Sequence, residues 1–291
     1  MRSNQRSQLL PLHPIIYEEI VRHTLTEDLG RAGDVTTDAI VFLDDKATAL
    51  IIACAPGCIA GIEIAEYAFH CLDHQLKFEP RIHDGENVES RDTLAVIQGA
   101  ARPILSAERT ALNFLTRLSG IATATRQIVD LVSKYPARVV CTRKTTPGLR
   151  ALEKYAVRAG GGANHRFGLD DAVLIKDNHI LVAGGVSEAI QKVRKRIGHM
   201  VKIEVEADTL EQLDAALKEG VDAVLLDNMS VDTIAEAVRI TNKRAITEAS
   251  GGITADTAEA IAATGVDLLS VGWITHSAPA LNLSLELAFS I

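Results

Sequence analysis

Hydrophobic and polar positions follow two different patterns along this chain of 291 residues. In the first part, Lys46–Ala53 places an alanine or isoleucine at every second position, which predicts a strand. Gln75–Ile82 and Thr93–Gln98 predict two further strands, and Gly61–Leu72 has the spacing of a helix. Because strands and helices do not alternate regularly here, residues 1–117 are predicted to form an N-terminal α+β sandwich domain.

A tail, a helix and a loop are predicted before the first of these strands. Residues 1–12 are predicted to form a loose tail. A helix is expected over Ile15–Leu29, because Pro14 suits a helix start and Gly30 suits a helix end. The segment Gly33–Thr37 is predicted to be a polar connector.

Two consecutive helices are predicted before the second part of the chain. Ser106 is a candidate cap for a helix that runs from Ala107 to about Leu118. Gly120 is expected to interrupt this pattern, and a second helix is predicted to continue to about Ser133.

After Pro136, short apolar runs alternate with amphipathic segments. The apolar runs are Arg138–Cys141, Ala172–Ile175, Lys202–Val205, Ala223–Leu226, Ala245–Glu248 and Leu268–Val271. The predicted helices are Leu149–Ala159, Gln191–Arg196, Leu210–Glu219, Val231–Ile240 and Ala255–Ala263. This strict succession predicts a parallel sheet with right-handed crossovers, and therefore a closed or nearly closed α/β barrel over residues 118–277. Leu281–Leu287 alternates as a last strand, so residues 278–291 are expected to join the N-terminal domain.

Charged residues or glycines follow each of the six predicted barrel strands. In chain order they are Arg143 and Lys144, Lys176, Glu206, Asp227, Ser250-Gly251-Gly252, and Gly272. The active site of an α/β barrel lies at the carboxyl ends of its strands. We therefore expect these side chains to share one cleft.

The chemistry of these residues favours a polyanionic small ligand. Ser250-Gly251-Gly252 precedes a predicted helix, where backbone N–H groups and the helix dipole can hold a phosphate. Glu206 and Asp227 could hold ribose hydroxyls, either directly or through a divalent cation such as Mg²⁺. Five cationic side chains could bind carboxylates or phosphates. They are those of Arg143, Lys144, His165, Arg166 and Lys176.

Composition and charge limit the kinds of molecule that this chain is expected to bind. The formal net charge is -8 and the pI is about 5.6, so the chain lacks the basic footprint of a nucleic-acid-binding protein. We find no apolar segment typical of a signal peptide or a membrane span, and no Cys/His spacing typical of zinc. The four cysteines are predicted to be reduced thiols of a cytoplasmic protein.

Six long motifs resemble the quinolinate phosphoribosyltransferase family, also called nicotinate-nucleotide pyrophosphorylase (carboxylating). They are AERTALNFLTRLSGIAT (Ala107–Thr123), TRKTTPGLR (Thr142–Arg150), GGGANHRFGLDDAVLIKDNH (Gly160–His179), EVEADTLEQL (Glu204–Leu213), LLDNM (Leu225–Met229) and EASGGI (Glu248–Ile253). The resemblance runs from about Tyr17 to about Leu287. Trp273 departs from it, because a small residue is expected there, and so does Asn282, where Asp is expected.

The resemblance implies an N-terminal sandwich and an irregular, incomplete α/β barrel of the type II phosphoribosyltransferase kind. It implies a cytoplasmic pentosyltransferase of NAD biosynthesis that uses Mg²⁺, quinolinate and phosphoribosyl pyrophosphate. Lys144, Lys176, Glu206 and Asp227 would be catalytic, with both acids near the metal. The implied substrate-binding residues are Arg109, Arg143, Lys144, His165, Arg166, Lys176, Glu206, Asp227, Ser250, Gly251, Gly252, Gly272 and His276. Arg109 would reach the site of a partner subunit in a homodimer, which could assemble further into a hexamer.

Three alternatives stay open at this point. The first is a related phosphoribosyltransferase that acts on another anionic ring, such as nicotinate. The second is a Schiff-base aldolase, because Lys144 and Lys176 both follow predicted barrel strands. The third is a binding protein without catalytic activity that keeps the fold and senses an anionic metabolite.

Overall fold

A computed structural model describes residues 9–288. Most of the tail predicted for residues 1–12 therefore lies outside the described residues. Contacts between residues divide the chain into two compact units. The first comprises Met1–Ala124, Ala151–Gly161 and Ser277–Ile291, and the second comprises Thr125–Arg150 and Gly162–His276.

The described residues form twelve strands. In chain order they are β1 (Lys46–Ala53), β2 (Gly57–Cys58), β3 (Lys77–Pro80), β4 (Asn87–Val88), β5 (Thr93–Ala100), β6 (Arg138–Val140), β7 (Val173–Ile175), β8 (Ile203–Ala207), β9 (Ala223–Asp227), β10 (Ile246–Ser250), β11 (Leu268–Ser270) and β12 (Leu283–Ala288). Each strand predicted from the sequence is present, with its ends shifted by two residues at most.

Eleven α-helices occur over the same residues, after a short 3-10 turn at Pro14–Ile16. They are α1 (Glu18–Leu29), α2 (Val35–Ile40), α3 (Ile62–Leu72), α4 (Ala101–Val132), α5 (Arg150–Ala159), α6 (Asp177–Ala183), α7 (Val186–Arg194), α8 (Leu210–Lys218), α9 (Val231–Thr241), α10 (Ala255–Ala263) and α11 (Trp273–His276). None of these described helices combines the length and the apolar character that crossing a bilayer requires.

The first unit contains a four-stranded antiparallel sheet in the order β12-β1-β5-β3. Ala49 and Ile51 of β1 are buried together with Ile97 and Ala95, the residues opposite them in β5. This one-sided burial explains the alternation in the sequence, since one face of an antiparallel sheet packs on the core. β12 pairs with β1, which confirms that the last predicted strand returns to the N-terminal sheet.

The second unit contains a six-stranded parallel sheet in the order β6-β11-β10-β9-β8-β7. Strands β7 to β11 lie side by side in chain order, and β11 then pairs with β6. β6 and β7 stand at the two ends of this order, and they do not pair with each other among the described residues. Val140 of β6 instead forms an isolated parallel bridge with Ala163, which lies outside β7. The circle of strands is therefore incomplete, which confirms the prediction of an irregular α/β barrel.

The predicted break at Gly120 is wrong, because α4 runs unbroken through it. A Cβ on Gly120 would overlap the carbonyl oxygen of Pro279 and would lie 2.9 Å from the α-carbon of Ala280. Glycine at this position thus permits a close approach of backbone rather than a helix end. The predicted start is also wrong, since α4 begins at Ala101, and the Ser106 hydroxyl hydrogen-bonds the Asp34 carboxylate instead of capping a helix.

Two further sequence predictions need correction near the start of the chain. The helix predicted over Ile15–Leu29 begins at Glu18, although Gly30 ends it in the left-handed region with φ 54°. The predicted connector contains the start of α2, whose cap is the Asp34 carboxylate, which accepts the Thr37 N–H at 3.0 Å. The short helices α6 and α11 were also absent from the predicted elements; neither is long enough for a clear period.

Candidate active site

A cavity of about 740 Å³ opens at the carboxyl ends of the parallel strands, and every residue that lines it belongs to the second unit. The structure brings twelve of the thirteen predicted site residues into this cavity. They are Arg143, Lys144, His165, Arg166, Lys176, Glu206, Asp227, Ser250, Gly251, Gly252, Gly272 and His276. They converge because parallel strands present their carboxyl ends at the same edge of the sheet.

The thirteenth residue, Arg109, belongs to the first unit and lies within α4. Its side chain is 64% exposed and lies 3.9 Å from the carboxylate of Glu108. An exposed ion pair at this distance holds a side chain only weakly. Arg109 is therefore available to a ligand or a partner of opposite charge.

An ion pair between Lys176 and Glu206 joins two neighbouring strands at the cavity. Lys176 directly follows β7, Glu206 lies in β8, and the ammonium nitrogen is 2.6 Å from the Glu206 Oε2 atom. The glutamate side chain is 9% exposed, whereas that of the lysine is 47% exposed. The lysine thus keeps access to a ligand while its charge offsets that of a nearly buried carboxylate.

Three carboxylates form an acidic cluster beside this ion pair. Glu206, Asp208 and Asp227 each place one oxygen within 4.8 Å of the other two. Hard oxygen ligands of this kind fit Mg²⁺, which uses one or two carboxylates together with phosphates and water. Asp208 was not among the ligands predicted from the sequence. Its position two residues after Glu206 could have indicated it, because residues two apart in an extended segment point to the same side.

Two guanidinium groups of the lining, those of Arg143 and Arg166, form no ion pair with a carboxylate among the described residues, although Glu204 and Asp171 act on Arg166 at longer range. Burial lowers the pKa of Arg166 below its ordinary value, and the nearby positive charge of Arg143 lowers it further. The Nε atom of Arg143 is buried and has no hydrogen-bond partner among the described residues. A buried donor without an acceptor is costly, so this pair of cations is prepared for an anionic ligand.

The His165 ring is held on both sides. Its Nδ1 atom accepts the backbone N–H of Arg166 at 2.8 Å, and its Nε2 atom lies 2.7 Å from the Glu204 carboxylate. The Nδ1 atom thus accepts a hydrogen bond from the backbone and the Nε2 atom faces a carboxylate, so both ring nitrogens are held in place. The ring in turn fixes the Arg166 backbone, and the positive charge expected at His165 stays a prediction.

Glu248 is a buried acid in the lining that the sequence did not single out. Burial raises the pKa of its carboxyl to about 7, and the negative charge of Glu204 acts in the same direction. The residue is 1% exposed, and its Oε1 atom lies 3.6 Å from the His165 Nε2 atom. The Oε1 atom has no hydrogen-bond partner in the described part of the chain, as expected for an acid held neutral.

A glycine turn follows β10 at the same edge. Gly251 and Gly252 have φ values of 97° and 60°, which side chains rarely adopt. The next helix, α10, begins at Ala255, and Thr254 caps it. This turn lines the cavity just before the positive end of a helix dipole, a combination that favours a phosphate.

Trp273 and Gly272 complete this side of the cavity. The indole N–H of Trp273 donates to the carbonyl oxygen of Ile253 at 3.0 Å, so the large side chain braces the end of the glycine turn. A Cβ on Gly272 would lie 3.3 Å from Lys144 and 3.5 Å from the His276 ring. Glycine therefore leaves room for both side chains to reach the cavity.

Comparisons with known proteins agree over nearly the whole chain. The model of the quinolinate phosphoribosyl transferase N-terminal domain matches residues 34–119, and that of the C-terminal domain matches residues 121–286. The chain belongs to the quinolinate phosphoribosyl transferase family. The probable nicotinate-nucleotide pyrophosphorylase (carboxylating) of Bacillus subtilis strain 168 is 43% identical over 273 residues, 94% of each chain.

Two further relatives have the same degree of similarity. The nicotinate-nucleotide pyrophosphorylase (carboxylating) of Mycobacterium leprae is 44% identical, over 92% of this chain and 96% of its own. The solved structure of the nicotinate-nucleotide pyrophosphorylase from Francisella tularensis is 40% identical and has a TM-score of 0.92, over 97% of this chain and 99% of its own. The fold of the quinolinate phosphoribosyl transferase family thus extends over both units of the chain.

Proposed function

We propose that this chain transfers the phosphoribosyl group of phosphoribosyl pyrophosphate to quinolinate with loss of CO₂. The products are nicotinate mononucleotide and pyrophosphate, so the enzyme acts in de novo NAD biosynthesis. Family membership supports the reaction. The observation that carries the assignment is one cavity that combines an unpaired buried Arg143 donor, an acidic cluster and a glycine turn.

Quinolinate is a dianion, and the cation-rich part of the cavity fits it. Arg143 and Arg166 offer planar donors for carboxylates, and Lys144 and Lys176 add point charges. The mutual repulsion of the two arginines is relieved when an anion binds between them. His165 contributes indirectly, because its ring holds the Arg166 backbone.

Phosphoribosyl pyrophosphate fits the other part of the cavity. Glu206, Asp208 and Asp227 would hold Mg²⁺, which when bound supplies positive charge to the pyrophosphate that leaves. Glu206 and Asp227 would also contact ribose hydroxyls. The turn Ser250–Gly252 would hold the 5′-phosphate at the start of α10, with Gly272 and His276 beside it.

The chain's own groups then act by position and charge. The ring nitrogen of quinolinate attacks C1 of the ribose, and the bond from C1 to pyrophosphate breaks with its electron pair on the leaving oxygen. In the second step the ring carbon loses CO₂, keeps the electron pair and takes up a proton. Fixed cations stabilise the developing negative charge in both steps, so preorganisation supplies most of the rate enhancement.

Two finer statements complete the proposal. We place Arg109 in the site of a partner subunit of a homodimer, because its side chain is exposed and weakly paired in its own subunit. A cytoplasmic location is supported by four cysteines that are all free thiols.

The direct test is turnover. The purified chain is incubated with quinolinate, phosphoribosyl pyrophosphate and Mg²⁺, and nicotinate mononucleotide and CO₂ are followed. We expect one CO₂ per mononucleotide, and we expect Arg143→Ala to lose most of the activity while the chain stays folded. Absence of product from the wild-type chain, with quinolinate binding also absent by calorimetry, would overturn the assignment.

A further inference from the structure

Asn228 has an unusual backbone at the edge of the cavity. It directly follows β9, and its φ of 52° lies in the left-handed region. The other described residues besides glycine with such backbones are Arg91, Asn242 and Lys243, and none of these lines the cavity. Left-handed backbone is uncommon for side-chain-bearing residues, and at a functional site it is a reason to look for a role.

The side-chain amide of Asn228 holds one oxygen of the neighbouring acid. Its Nδ2 atom donates to the Asp227 Oδ2 atom at 2.6 Å. This short, charge-assisted hydrogen bond fixes the rotation of the carboxylate. The other oxygen of Asp227 is then the one left to face a hydroxyl group or a cation in the cavity.

The rest of Asn228 is bound to the glycine turn. Its backbone N–H donates to the carbonyl oxygen of Ser250 at 2.9 Å. A Cβ on Gly251 would overlap the Asn228 Oδ1 atom and would lie 2.7 Å from its Cγ atom. The amide therefore lies directly against the α-carbon of Gly251, in space that any other residue at that position would fill.

One residue thus contacts two parts of the site that come from different strands. We propose that Asn228 is a positioning residue that fixes the Asp227 carboxylate and the Ser250–Gly252 turn relative to each other. This inference rests on the proposed function, in which these two parts bind the ribose and the phosphate of one molecule of phosphoribosyl pyrophosphate. Asn228 itself needs no contact with the substrate.

The left-handed backbone is part of this arrangement. It turns the chain sharply after Asp227, so that the N–H and the amide of Asn228 both point back toward the end of β9 and β10. Asn is among the side chains that tolerate this backbone best, and it also carries the required donor. Glycine would keep the backbone without the amide, and Asp would keep the shape without the donor.

The experiment uses these two substitutions and a matched control. In Asn228→Gly we expect the KM for phosphoribosyl pyrophosphate to rise about tenfold, because the charge-assisted hydrogen bond that fixes the Asp227 carboxylate is lost. The KM for quinolinate should change less than about twofold. Asn228→Asp should raise the first KM further, since it sets a second carboxylate against Asp227. Asn242→Gly removes an asparagine with φ 46° outside the cavity and should change neither KM.

Binding without turnover gives an independent reading. Calorimetry with ribose 5-phosphate, which carries both groups that the Asp227 carboxylate and the Ser250–Gly252 turn are proposed to bind, should show about tenfold weaker binding to Asn228→Gly than to wild type, and unchanged quinolinate binding. Equal ribose 5-phosphate affinity in wild type and Asn228→Gly would overturn the positioning role, whether or not the wild type turns over quinolinate. Equal losses for both ligands, together with a lowered Tm that Asn242→Gly does not show, would overturn it as well, because they indicate general loosening. Lack of wild-type turnover would count against the proposed function alone.

A double substitution tests the contact between the two residues. Gly251→Ala should weaken ribose 5-phosphate binding in the wild-type background, both through its φ of 97° and through overlap with the Asn228 amide. In the Asn228→Gly background only the backbone strain remains, so the same substitution should cost at least about twofold less in affinity. Strict additivity would show that the amide and Gly251 are not coupled, which contradicts the proposal.

Discussion

The ammonium nitrogen of Lys176 lies 2.6 Å from the Oε2 atom of Glu206, so that a cation that we assign to quinolinate is paired with an acid that we assign to the ribose. This contact follows from the pairing of the two parallel strands. Ile175 of β7 pairs with Val205 of β8, and Lys176 and Glu206 are the next residues along the two chains. Each charge offsets the other before substrates bind. The pairing also engages the side-chain nitrogen of Lys176, which does not favour the Schiff-base alternative at this residue.

This role of the lysines can be tested by substitution. Lys144→Arg and Lys176→Arg should retain measurable quinolinate binding, because a cation remains, whereas the alanine variants should lose about tenfold more. Treatment with borohydride and a carbonyl substrate should give no covalent adduct by mass spectrometry. A trapped adduct of one ligand mass would favour the aldolase alternative.

The cavity should distinguish quinolinate from nicotinate. Nicotinate has one carboxylate fewer than quinolinate, so Arg143 or Arg166, which are both half-buried, would lack an anionic partner. Such a loss costs ~2–5 kcal/mol, which corresponds to a factor of at least about 30 in kcat/KM. The measurement is kcat/KM for both acids at saturating phosphoribosyl pyrophosphate and Mg²⁺. Equal values would favour the alternative in which another anionic ring is the substrate.

Asp208 should contribute to cation binding, although the sequence motifs did not single it out. Asp208→Asn removes one of three clustered carboxylates, so we expect the Kd for Mn²⁺, followed by electron paramagnetic resonance, to rise about tenfold. Asp214→Asn, an exposed acid on α8 that pairs with Lys218, serves as the control. The same Mn²⁺ affinity in both variants would remove Asp208 from the cluster's function.

Glu248 should make stability depend on pH. Its pKa is raised from 4.5 to about 7 by burial and by Glu204, so the folded chain binds one more proton than the unfolded chain between these values. The resulting stabilisation is complete below about pH 4.5 and is lost as the pH rises through about 7, with an upper limit of ~3 kcal/mol. His165 and Ser270 oppose the shift.

Denaturant unfolding of wild type and Glu248→Gln from pH 5 to pH 8 measures this effect. The glutamine variant keeps a neutral side chain at every pH, so the difference in free energy of unfolding should shift in its favour as the pH rises. Parallel curves for the two proteins would show that Glu248 does not carry a proton in the folded state.

Subunit complementation tests whether Arg109 acts in a partner's site. Arg109→Ala and Lys144→Ala should each be nearly inactive alone. After mixing and re-equilibration, a heterodimer would have one site with both defects and one intact site. Activity should then return to about a quarter of wild type, if half of the dimers are mixed. If heterodimers form and no activity returns, Arg109 acts within its own subunit or has no role in the site.

The sequence by itself determined the strands, most of the longer helices, the parallel barrel and most of the residues around the cavity. Local hydrophobic periodicity is enough to predict a strand, because the residues that follow one another show whether one face is buried, as in β1, or both faces, as in β9. Strict succession of strands and helices then brings Lys144, Glu206 and Ser250 to the same edge. These inferences need no knowledge of which distant side chains touch.

Only the tertiary structure decided the features that depend on such contacts. Gly120 looked like a helix end, but the approach of Pro279 explains it. The amide of Asn228 reaches its role only because β9 and β10 are neighbours and Gly251 leaves room. The orientation of the His165 ring is fixed by the Arg166 N–H on one side and by Glu204 on the other. In each case the deciding partner is brought close by packing or by backbone conformation, and residue identity alone does not encode that geometry.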